Sequence, residues 1–216
     1  MREARGWAQD EPFSVMPYTV WSYVASVLLD DQPLSLLGAQ AGLAANPHEL
    51  TLVNNLAVSY AKTGEITKAK DLIPVLPADC ESDADRALFD ATRGLVAYRD
   101  GDAVAGRGYY ARAIRTALSP KLEATRIMIF VHQAIEEFRR MPIDEPFLRG
   151  LLDQVSVDAD WVVRRPDVVD ALISLSRRFE SAKRGPDTEP PARLAALLEG
   201  RIEHGLKKLR GKSLRR

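Results

Sequence analysis

The chain has 216 residues, of which 46% are apolar and 28% charged, and its formal net charge is zero. That length accommodates one or two ordinary domains or one run of repeats, and the composition excludes a disordered chain. The charge is unevenly spread: Ser176–Arg216 holds 12 Lys/Arg against 5 Asp/Glu, which sets a basic end on an acidic body.

No apolar run approaches the roughly 18 to 20 residues of a membrane span, and the opening MREARGWAQDEPFS lacks the apolar stretch of a secretory signal. The single cysteine, Cys80, has neither a disulfide partner nor the companions of a zinc cluster. A soluble chain in a reducing cytoplasm, with no membrane partner, is the expectation.

In chain order, EARGWAQDEP predicts a short helix. The segments YTVWSYVASVLL and LSLLGAQAGLAA predict two more, split by Asp30, Asp31, Gln32 and Pro33, with Pro33 suited to a first helical position. Ala39 and Gly42 supply small residues there. The pair Asn46 and Pro47 should end the second helix, since a residue before proline avoids the α region. Next, Leu52, Leu56, Ser59 and Tyr60 recur at helical spacing, with Val53, Ala57 and Ala61 beside them. Thr63, Gly64 and Glu65 form a turn, because glycine takes the left-handed conformation that ends a helix. Ile66, Ala69, Leu72 and Ile73 begin another apolar stripe, so a short turn joins two antiparallel helices.

A shift of 37 places Ala57, Gly64 and Ala69 on Gly94, Gly101 and Gly106. A small residue, a turn glycine and a second small residue thus recur at the same spacings, and the second copy closes at Ser119 and Pro120. The small residues allow two helix backbones to approach, and bulky ones fill the gaps between pairs. A weaker pair follows in LEATRIMIFVHQAIEEFRR and FLRGLLDQV around MPIDEP, with Phe130 where the small residue is due.

This pattern resembles the tetratricopeptide repeat, a helix-turn-helix unit of about 34 residues. Leu56, Ala57, Tyr60, Gly64 and Ala69 match its motif, and Gly94, Gly101, Gly106, Tyr110, Ala113 and Pro120 match it again. The longer period fits an extended link at PVLPADCESD. Ala97 replaces the usual aromatic with Tyr98 one place late, and Leu76 stands where a small residue is usual. The resemblance implies an all-α, right-handed α-solenoid over residues 1–155, with repeats at about 12–47, 48–83, 84–120 and a degenerate 121–155. EARGWAQDEP looks like the last helix of a repeat whose first helix is missing, which fits either a fragment of a longer protein or an unusual cap.

Beyond Trp161 the repeat is lost. PDVVDALISLSRRF places Val168, Leu172, Leu175 and Phe179 on one face, a capping helix within 156–180. Residues 181–191 read as a linker. Within 192–216, Leu194, Leu198, Ile202, Leu206 and Leu209 form a stripe that suits an end cap, a dimerisation helix or a docking helix. The tail adds Lys207, Lys208, Arg210, Lys212, Arg215 and Arg216, cations fit for phosphates or an acidic protein.

Chemistry is not signalled. His48, His132 and His204 lie on separate segments, each without a second ligand at metal spacing. SVDADW, with Asp158 and Asp160, lacks the glycine and closing glutamate of a calcium loop. GDAVAGRG follows a helix and not a strand, so its glycines serve turning and packing. Asp79 and Glu81 should raise the Cys80 thiol pKa, and Glu136 and Glu137 read as a solvated helix face. No catalytic residue, metal or cofactor is expected; a titratable pair with strongly shifted pKa facing the groove would revive an enzyme.

By the resemblance, first helices line a concave groove that grips a peptide or a partner helix. Asn54, Val58, Ala61 and Lys62 from one repeat, with Leu88, Ala91, Leu95, Tyr98 and Arg99 from the next, would face it. Val58 and Leu95 stand where chaperone-clamping repeats carry asparagine, which argues against a co-chaperone. The expectation is a non-catalytic protein–protein interaction scaffold, suited to be the interaction arm of a larger regulatory protein. Homo-oligomers through the terminal helices are compatible with it. The alternative is a nucleic-acid-associated or acidic-partner-binding protein acting through its basic tail.

Overall fold

The computed structural model describes residues 2–29 and 31–140, together with 144, 146, 147 and 150. These residues are all-α: eight α-helices and no strand among the described residues. The expected divisions at 156–180, 181–191 and 192–216, and most of 141–155, lie outside them.

The helices are α1 (Arg2–Asp10), α2 (Val15–Tyr23), α3 (Gln32–Ala45), α4 (Leu50–Thr63), α5 (Ile66–Leu72), α6 (Asp83–Arg99), α7 (Ala103–Thr116) and α8 (Glu123–Arg139). A π-helical turn, Val24–Leu28, extends α2, and short 3-10 turns follow at Ile73–Val75 and Pro120–Leu122. The chain divides into two compact units, Met1–Thr125 and Arg126–Arg216.

Helix ends follow local chemistry. Asp31 accepts from the Leu34 amide at 2.9 Å, with Pro33 in the first turn of α3, and Ser82 and Asp102 cap α6 and α7 in the same way. Pro74 has no N–H to continue the α-helical ladder, so α5 stops after two turns and the chain tightens into the 3-10 turn. Gly64 (φ 86°) and Gly101 (φ 91°) are left-handed. Around them the Glu65 amide donates to Tyr60 O at 2.9 Å and Gly64 to Ala61 O at 3.4 Å. The Asp102 amide donates to Ala97 O at 2.9 Å and Gly101 to Tyr98 O at 3.1 Å. Each bond recurs 37 residues later, and both turns satisfy the last carbonyls of a helix in one pattern.

Within the first unit, α2 packs on α3, α4 on α5 and α6 on α7. In addition α2 meets α4, α4 meets α6, α3 meets α4, α5 meets α6, and α1 lies against α2. Small residues set these contacts. A Cβ on Gly94 would come within 2.7 Å of the Tyr110 ring, and one on Gly106 within 2.5 Å of the Tyr98 ring. Those two rings lie 5.8 Å apart, tilted by 55°. In α3, Gly38 sits under the Trp21 indole, and Gly42 faces Tyr18 and Leu52. Ala57 and Ala69 are fully buried.

The first pair differs in register. Its buried small residues are Ser22 and Ser35, thirteen apart, whereas Ala57 and Ala69, like Gly94 and Gly106, are twelve apart. The π turn between them absorbs the additional residue, closed by the Leu29 amide donating to Val24 O at 3.1 Å. Ser35 Oγ donates to Ser22 O at 2.9 Å and lies 2.8 Å from Ser59 Oγ, while Asn55 Nδ2 donates to Ser22 Oγ at 2.9 Å. One polar seam therefore ties α2, α3 and α4.

Three glycines separate these effects in urea unfolding. Gly106→Ala forces the Tyr98 ring aside and should destabilise by ~1–3 kcal/mol. Gly64→Ala places a side chain in the left-handed region and should cost about 1 kcal/mol. Gly108→Ala, in α7 with open space around its Cβ, should gain up to about 1 kcal/mol.

Candidate interaction surface

Helices α4 and α6 carry the nine residues expected to line a groove. The structure brings several of them together. Ala61, Leu95 and half-buried Val58 share one apolar cluster with Ala69 and Val96, across the α4–α6 contact. Leu88, Ala91 and Arg99 are half-buried on α6. Ala61 and Leu95 are core residues, with 0% and 7% exposure, and so offer little contact area of their own. Tyr98 is equally buried, because its ring is the one that covers Gly106 and fills the space between α6 and α7.

Two polar members have distinct settings. Asn54 is buried, and its Oδ1 has no hydrogen-bond partner. Lys62 Nζ donates to Ser26 Oγ at 3.0 Å, and Ser26 in turn donates to Gln32 Oε1 at 3.2 Å. The cation from α4 is thus held against the π turn of α2. The basic-tail residues Lys207, Lys208, Arg210, Lys212, Arg215 and Arg216 lie outside the described residues.

A buried ionic group anchors the long link before α6. Asp90 takes two hydrogen bonds from Arg112, at 2.6 and 2.7 Å, and one from Arg93 Nη1 at 2.8 Å. Arg93 Nη2 donates to Leu76 O at 2.7 Å and to Pro77 O at 3.1 Å. The Arg112 guanidinium also lies 4.9 Å from the centre of the Tyr109 ring. Hydrogen bonding to Asp90 raises the Arg112 pKa. Leu76, large where a small residue is usual, is buried with Val53 and Phe89. The link is therefore held by its apolar side chain and by its carbonyls. Asp90 and Arg93 stand at a helical i,i+3 spacing legible in the sequence, but Arg112 lies 22 residues on and no local pattern marks it.

Two expectations need correction. Glu136 and Glu137 are not a solvated face: their exposures are 6% and 0%, and Arg140 Nη1 donates to Glu137 Oε2 at 3.2 Å. They lie on a stretch of α8 whose buried residues include Ile129, Phe130, Gln133 and Ala134, so local polarity misjudged the side that is covered. For Cys80, burial is the first cause that pushes the thiol pKa up, followed by the charge of Asp85, and not Asp79 or Glu81. Its Sγ donates to Ser82 O at 3.5 Å.

His48 is exposed and His132 half-buried; among the described residues no group of three or more His, Cys, Asp or Glu is placed to hold a metal ion. No described helix is long and apolar enough to cross a membrane. GDAVAGRG forms the turn at Gly101 and the first turns of α7, after the helix α6. The sequence matches no protein-family model, no curated protein and no solved structure.

Two measurements follow. Asp90→Ala leaves the buried Arg93 without its carboxylate and should destabilise the chain by ~3–5 kcal/mol in urea unfolding. Alkylation of Cys80 by iodoacetamide should be slower than that of a free cysteine at pH 8. Its rate should keep rising at pH values where a free thiol has levelled off, since only the thiolate reacts.

Proposed function

We propose that the helices before residue 155 form a tetratricopeptide-like right-handed solenoid, and that the protein is a non-catalytic scaffold holding a peptide or helix of a partner protein. The observation that carries this reading is the turn at Gly64, which recurs at Gly101 with the same hydrogen bonds 37 residues later. Repetition of one turn gives repetition of one helix pair. The order of packing among α2 to α6 supports it: α2 meets α4 and α4 meets α6, while α3 meets α4 and α5 meets α6.

In this reading α2, α4 and α6 are first helices, and their shared side is the contact surface. Val58, Leu88 and Ala91 contribute accessible apolar area there, and Lys62 and Arg99 contribute charge. Apolar burial then supplies affinity and the charges fix register.

The test is capture from nuclease-treated lysate with three chains: the wild type, Leu88→Glu/Ala91→Glu, and Val104→Glu on the exposed side of α7, each shown to fold by circular dichroism. The α6 pair should lose the captured protein and Val104→Glu should retain it. Equal capture by all three overturns the groove. A chain ending at Gly200, which removes all six basic tail residues, should retain capture. Loss with that truncation, or with nuclease alone, would place binding on the tail.

A further inference from the structure

No further inference is drawn: the strongest candidate, the exposed apolar patch of Trp7, Phe13 and Met16 around the α1–α2 turn, is an unpartnered face, and nothing in the structure shows what covers it.

Discussion

The close approach of α6 and α7 is the constraint on which the third helix pair depends. Gly94 and Gly106 let the two backbones come together, and the rings of Tyr110 and Tyr98 occupy the space that side chains at those positions would need. The contact is reciprocal: each glycine is covered by a tyrosine from the opposite helix. Close packing makes such a seam sensitive to one methyl group, because a ring cannot yield as a flexible side-chain end can. The second pair builds its seam with alanines, and the first with serines that add hydrogen bonds to the steric fit.

Helix ends were legible in the sequence because capping is local chemistry. Asp31, Asn46, Gly64 and Gly101 bound helices where they should. The periodic small residues likewise marked buried positions. Less legible was the first pair, where a shift by one residue and the use of serine concealed the correspondence with Ala57 and Ala69. The repeat reading attended to Ala39 and Gly42 and passed over Ser22, Ser35 and Gly38, all of which lie in the packing. A one-residue change in spacing is visible in sequence, but only the geometry distinguishes a π turn from a shifted helix.

The candidate surface was legible in part. The family resemblance pointed to Val58, Leu88 and Ala91, which retain some exposure, but it could not separate them from Ala61, Leu95 and Tyr98. Those residues share the same helical faces, and a neighbouring helix covers them. Distant charge pairing was hidden as well. Asp90 and Arg112 belong to different helices, and their pairing follows from the α6–α7 contact that the glycines set. Glu136 and Glu137 show the converse error, in which charge was taken as a sign of exposure.

The π turn at Val24–Leu28 has a consequence for how this chain tolerates changes in length. One additional residue in an α-helix rotates everything beyond it by about 100°. Carried through α2, that rotation would separate the residues before the turn from those after it, and only one set would still face α3. Widening a single turn confines the mismatch. Tyr18 and Trp21 stay over Gly42 and Gly38, and Ser22 stays against Ser35. The additional residue is taken up at the end of the helix, and the packing before it is left in phase.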